Sequence, residues 1–216
     1  MSGARRVTVL GPEAAVRQPW RNGRGETEEL AIWPEGASFA RGEFDARIST
    51  ARVSESGPFS TFAGFERVLV ALDGEGLLLT HGADAPRARL RRLEPYRFAG
   101  EWTTSGELVG GPLRDFNVFT RRGVLRAEVQ MAQLGRRRLR EALEATHAFV
   151  HVLVGSLTAR VTGEEEPFEL GARFSLRIDR ARSADEVELA GGTDDAAALV
   201  VRLIGAENTA AAPDRR

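Results

Sequence analysis

Residues 66–82 read ERVLVALDGEGLLLTHG, two apolar runs around Asp73-Gly74-Glu75-Gly76. Asp-Gly supplies the backbone freedom of a tight turn, so the stretch predicts a β-hairpin. Residues 147–163, HAFVHVLVGSLTARVTG, repeat the arrangement with Gly155 at the turn. The likeness continues past both stretches. Each leads into a loop, then Leu with a small or turn residue (Leu93-Glu94-Pro95; Leu170-Gly171-Ala172), then a closing strand. Two similar β units in one chain point to a duplicated barrel.

The same period extends outward from both copies. RVTVL (6–10), ELAIWP (29–34), FDARISTARVS (44–54), RARLRRLEPYRFAGE (87–101) and RDFNVFTRRG (114–123) are rich in β-branched and aromatic residues and end in turn signals. LRAEVQMAQLG (125–135), PFELGARFSLRID (167–179), DEVELAGG (185–192) and AALVVRLIG (197–205) continue the pattern. RRRLREALEATH (136–147) is the best helix candidate, with a solvated basic turn as the other reading. About 206–216 is expected to be a frayed tail. Many short strands with frequent turn signals define an all-β sandwich or barrel with little helix.

Composition narrows the chemistry. The 216 residues carry a net charge of −1, which argues against a nucleic-acid partner. Every basic residue is Arg. The absence of Cys removes disulfides, thiolate metal sites and Cys nucleophiles, and fits a reducing compartment. No apolar run nears the roughly 18 residues of a membrane helix. No signal peptide is expected from the first twenty residues. The chain therefore reads as cytoplasmic, with no membrane partner.

Residues 18–30, QPWRNGRGETEEL, raise the question of a phosphate loop. No Lys follows the glycines, a strand rather than a helix comes next, and three acids would repel a phosphate. His147 and His151 share a strand face about 13 Å apart, too far for one ion at ~3.3 Å per residue, and no His-x-His pair exists. No metal and no cofactor are expected. Ser60 follows a Gly-Pro turn without a local base, as a turn serine does.

The informative signal is polar alternation. In ARIST, Arg47 and Ser49 share one strand face; in RDFNVF, Asp115 and Asn117 do. One reading is a half-buried strand with its polar side in water. The other is a barrel interior facing a small ligand, where an Arg fork can hold a carboxylate. A buried Arg47 would need an acidic partner, for which Asp115 and Glu29 are the candidates.

Five stretches in series resemble the HutD/Ves family: PWRNGRGETEELA (19–31), ARISTARV (46–53), GPFSTFAGFER (57–67), LVALDGEGLLL (69–79) and GGPLRDFNVFTRRG (110–123). The likeness is strong over about residues 7–130 and thins beyond. It implies a bicupin, two fused antiparallel β-barrels of jelly-roll or cupin-like form. The N-terminal barrel would span 1–125 and hold the pocket. The C-terminal barrel would span 126–216, with terminal strands free to exchange between them. It implies an association with histidine utilisation, where binding of a formylated or formiminated glutamate and a limit on flux are proposed. No enzymatic activity is established for that family.

Trp20, Asn22, Gly23, Gly25 and Thr27 match its W-x-N-G-x-G-x-T core, Arg47 and Ser49 its R-x-S strand, and Asp115, Phe116 and Asn117 its DFN. Arg24 and Glu28 depart from it and alter charge beside the lip. The expected ligand is a small carboxylate metabolite. Its expected contacts are Arg47 for the carboxylate, with Asn22, Thr27, Ser49, Ser60, Asp115 and Asn117 nearby. Arg67 would shape the wall or serve structure. Two rival functions stand beside this one. One is a metal-free hydrolase or isomerase using Asp115 or Glu29 as acid/base. The other is a dimeric regulatory scaffold; a homodimer is expected in either case.

Overall fold

The two apolar runs of residues 66–82 are strands, but they do not form a hairpin. In the computed structural model, which describes residues 4–20, 25–82, 87–182 and 184–206, they lie in different sheets. In chain order the strands are β1 (Arg6–Leu10), β2 (Val16–Pro19), β3 (Glu26–Trp33), β4 (Ala46–Val53), β5 (Gly57–Pro58), β6 (Phe65–Ala71), β7 (Leu77–His81), β8 (Ala88–Leu90), β9 (Tyr96–Ala99), β10 (Thr104–Leu108), β11 (Leu113–Arg121), β12 (Leu125–Gln133), β13 (Arg138–Ala142), β14 (His147–Val154), β15 (Ser156–Val161), β16 (Phe168–Gly171), β17 (Ser175–Asp179), β18 (Glu186–Gly191) and β19 (Ala197–Gly205). A single 3-10 turn at Pro12–Ala14 is the only regular helix among the described residues. The chain is all-β, and its sheets are built from antiparallel pairs.

Two units divide the chain: residues 15–125, and residues 126–216 together with 1–14. The first has a six-stranded sheet, β2-β3-β4-β11-β6-β9, and a four-stranded sheet, β5-β10-β7-β8. The second has a five-stranded sheet, β1-β17-β14-β19-β12, and a four-stranded sheet, β13-β18-β15-β16. In each unit the repeated stretch steps from one sheet to the other: β6 to β7, and β14 to β15. Left-handed glycines make the corners, Gly74 and Gly76 in the first unit and Gly155 in the second. Asp73 fixes the first corner by accepting the Arg114 N–H with its carboxylate. Pairing across sheets is a long-range choice. The local Asp-Gly signal marks the turn but not its partner strands.

The helix expected over 136–147 is also replaced, here by β13 and the turn after it. Arg138 and Arg140 pair with Glu188 and Glu186 of β18, an ion ladder on an exposed sheet face. Leu139 turns inward against the second unit's core. The four-residue spacing of Leu139 and Leu143 suggests a helical stripe, but Leu143 lies beyond the strand end and is fully buried there. The tail from 207 onward lies outside the described residues.

The first unit closes by packing Leu69, Ala71, Val53, Leu113 and Phe98 of one sheet against Leu77, Leu79 and Leu90 of the other. Each fully buried Leu there contributes about 1.5–3 kcal/mol by transfer from water. One polar chain crosses between the sheets at the β9 edge. Thr104 Oγ1 donates to the Trp102 carbonyl, so it accepts from His81 Nδ1–H at 2.9 Å. His81 Nε2 meets the Tyr96 hydroxyl at 2.9 Å and accepts from it when the ring is neutral. A neutral imidazole satisfies this chain, and burial, which lowers the His81 pKa, favours that form.

The linkage has a definite sign. Stabilisation from His81 is full above the unfolded pKa and is lost as pH falls through the lower folded value. In denaturant unfolding at pH 7 and pH 5, the stability advantage of the wild type over His81→Phe should shrink at pH 5. An unchanged advantage would refute the neutral-ring assignment.

Candidate functional site

Strand alternation and register place a polar patch on the inner face of the six-stranded sheet. Cross-strand partners share a face. One row runs Thr27, Ala51, Asp115, Ala71; the next Glu29, Ser49, Asn117, Leu69, Tyr96; the third Ile32, Arg47, Phe119, Arg67, Phe98. Leu69 and Ala71 in these rows face the four-stranded sheet, so the patch looks into the unit. Arg47, Ser49, Arg67, Asp115 and Asn117 are all buried.

Each guanidinium nitrogen of Arg47 has a hydrogen-bond partner. Its Nε donates to Glu29 Oε2 at 2.6 Å, Nη2 to Gln18 Oε1 at 3.2 Å and Nη1 to Ser49 Oγ at 3.4 Å. Its guanidinium also lies 3.8 Å from the Phe39 ring centre. Burial lowers its pKa while Glu29 opposes the change. Of the two acids anticipated as its partner, Glu29 fills the role.

Arg67 is placed differently. It sits among the rings of Phe59, Phe98 and Phe119, with 4.6 Å to the nearest centre. Its one hydrogen bond runs from Nη1 to the Ser60 carbonyl at 3.3 Å, and Nε has no partner. Among the described residues no carboxylate lies within 4 Å of its guanidinium nitrogens. Burial lowers its pKa to about 10; Asp115 opposes that and Arg47 adds to it. Arg67 therefore remains a cation at neutral pH.

Asp115 is the nearby counter-charge. Its Oδ1 accepts the Ala51 N–H at 3.1 Å. Burial raises its pKa to about 7, against the pull of Arg67 and that N–H. The Asn117 Oδ1 is buried and without a partner.

The remaining expected residues divide. Thr27 Oγ1 accepts the Trp20 Nε1–H at 2.9 Å, a structural tie. Ser60 is exposed and reaches the patch only through its carbonyl. Asn22, with Gly23 and Arg24, lies outside the described residues. Sequence reasoning gave Arg67 a wall role and missed Gln18, Phe39 and Phe98. The pattern F-x-R-V in β6 puts Arg67 on the same face as Leu69, which was the available signal. Among the described residues no three His, Asp or Glu gather as metal ligands.

Two sheets per unit, built from antiparallel pairs, define a cupin-like β protein. Structures with little sequence identity share this fold, including YlbA of E. coli (9% identical, TM-score 0.66, 91% of this chain and 90% of that one) and an oxalate decarboxylase of Lactobacillus farciminis (7%, 0.63, 90% and 85%). The chain belongs to the HutD family, whose model matches residues 13–197. It is similar to a conserved protein of unknown function from Pseudomonas aeruginosa PAO1 (28% identical, TM-score 0.81, 92% of this chain and 99% of that one). HutD from Pseudomonas fluorescens SBW25 is similar too (28%, 0.74, 93% and 99%). A curated relative from Pseudomonas putida, an uncharacterized 21.2 kDa protein in the hutC 3′ region, is 39% identical over 125 residues. That match spans 57% of this chain and 63% of the relative.

Proposed function

We propose that the first unit binds a small carboxylate metabolite on the inner face of its six-stranded sheet, with Arg67 as the cation that meets it. The observation that carries this reading is Arg67 itself: 3% exposed, charged, and without a carboxylate within 4 Å among the described residues. A buried cation without a direct ion pair is costly. A bound anion removes that cost. Each guanidinium nitrogen of Arg47 already donates to Glu29, Gln18 or Ser49, so Arg47 is assigned to positioning the patch and Arg67 to meeting the ligand. Family membership, and a relative named for its place in the hutC 3′ region, support a metabolite of histidine utilisation; a regulatory role and a cytoplasmic setting are part of the same proposal.

The test is a stability measurement with added small carboxylates, including formylglutamate. At a hundred times Kd the wild type should gain about 2.7 kcal/mol. Arg67→Met should keep the fold, because Met fills similar volume without a charge, and should gain nothing. Equal gains in both proteins would overturn the reading.

One observation favours a second reading, a metal-free hydrolase or isomerase. The Asp115 carboxyl, held near pH 7 in a buried site, is suited to general acid/base work. Glu29 is bound to Arg47 and is less free for that role. Turnover of a stabilising ligand that Asp115→Asn abolishes would favour the enzyme.

A further inference from the structure

We infer that residues 35–43, the connection from β3 to β4, are a flap that gates access to the buried arginines, with Phe39 as the latch that holds it shut. This rests on the reading that the patch admits a ligand. Arg47 and Arg67 are both buried, so an anion from solvent reaches neither guanidinium until a covering side chain moves. Their row runs Arg47, Phe119, Arg67 across β4, β11 and β6. Phe39 lies over one half of it, its ring centre 3.8 Å from the Arg47 guanidinium carbon and 6.2 Å from the Phe119 ring centre. Phe62, from the loop between β5 and β6, meets Phe119 at 4.9 Å and Phe39 at 5.2 Å, centre to centre. The Phe39–Phe62 contact is thus a seam between two loops.

The two loops are fastened unequally. The Phe62 loop is pinned to the wall: the Phe59 N–H donates to the Thr104 carbonyl at 2.8 Å and the Phe62 N–H to the Gly100 carbonyl at 2.7 Å. The flap is tied at its feet, where the Asp45 N–H donates to the Trp33 carbonyl and Arg121 to the carbonyls of Gly42 and Phe44. Above the feet it closes on itself. The N–H groups of Ala37, Gly42 and Glu43 end on the carbonyls of Pro34, Phe39 and Ser38, and Ser38 bridges to Glu43. Glu35, Ala40, Arg41 and Glu43 are exposed, whereas Phe39 turns in. Gly36 and Gly42 stand at the two ends with φ of +79° and +67°, and a Cβ on either meets nothing within 4 Å. Such residues can absorb a hinge rotation. Swinging out therefore costs the packing of Phe39 and Ala37 rather than sheet hydrogen bonds. The flap is the door and the Phe62 loop its post.

The absence of Cys makes the test clean, because an introduced thiol is a unique reporter. Ser49→Cys places one beside Arg47 on the inner face. Its rate of alkylation by iodoacetamide, a neutral probe, reads opening whether or not the site takes carboxylates. Adding Phe39→Ala should raise that rate tenfold or more. Ala71→Cys, fully buried on β6 of the same sheet, reports global unfolding instead, and Phe39→Ala should change its rate by less than about twofold. An unchanged rate at Ser49→Cys, or an equal rise at both reporters, would overturn the flap. Solvent exchange of the Arg67 Nε–H, followed by NMR, decides the point without a reporter. That N–H has no partner, so only its cover protects it. It should exchange at least ten times faster in Phe39→Ala than in the wild type, and equal exchange would again overturn the flap. The two readings fail separately: alkylation and exchange decide the flap, and the stability gain with small carboxylates decides the ligand.

Discussion

Gly76→Ala should destabilise the protein by on the order of 3–5 kcal/mol, lowering Tm by roughly 10 °C. Two costs meet at this position. Its φ of +100° is one that L side chains rarely adopt, worth about 1–3 kcal/mol. An added Cβ would also stand 2.0 Å from the Leu90 carbonyl oxygen, a backbone atom of β8. That atom can move only if β8 shifts away from β7, to which it is bonded through Leu77, Leu78 and Leu79. Gly64 provides the control. Its φ is +82°, but a Cβ there meets nothing within 4 Å. Gly64→Ala should therefore show the dihedral cost alone, about 1–2 kcal/mol. Equal losses in the two variants, by denaturant unfolding, would show that the close approach at the β6–β7 corner does not matter.

Asp115→Asn should remove a slope from the pH dependence of stability. The folded pKa, about 7, lies above the ordinary value of 3.8. The folded state therefore holds this proton more tightly than the unfolded chain does. Stability from this group is full below about pH 4 and is lost as pH rises to about 7, beyond which the loss is constant. At about 1.4 kcal/mol per pH unit, the loss is on the order of a few kcal/mol. Asparagine keeps the acceptor for the Ala51 N–H but cannot ionise. The difference between wild type and variant, followed from pH 4 to 8, should fall with pH and flatten above 7. A flat difference would refute the buried, raised carboxyl. The same titration governs ligand binding. As Asp115 ionises beside Arg67 it competes with an incoming carboxylate, so affinity for a carboxylate should weaken above pH 7.

The strands and the polar alternation were legible because both depend on local period. Arg47 with Ser49, and Asp115 with Asn117, share the inner face as their two-residue spacing requires. Strand partners were less legible. Asp73-Gly74 announces a turn, but whether β7 returns to β6 or crosses to β10 depends on apolar faces far apart in the chain. The charge state of the patch was hidden for a related reason. Arg47 and Arg67 look alike in sequence. They are separated by Glu29, which reaches one guanidinium from the neighbouring strand β3, while among the described residues no acid lies within 4 Å of the other. The helix candidate at 136–147 gave way to β13, because its pairing with β18 joins residues far apart in the chain.

The placement of β1 bears on the order in which the chain matures. Arg6 pairs with Asp179, 173 residues away. At ~5–20 residues per second, β1 waits roughly 10–35 s for its partner during synthesis. Residues 15–125 can complete their own sheets in that interval, while β1 remains an unpaired strand with Val7 not yet packed against the second unit's core. A bulky fusion ahead of Arg6 burdens the last pairing to form rather than the first. Its effect should therefore appear in yield of the second unit before it touches the first.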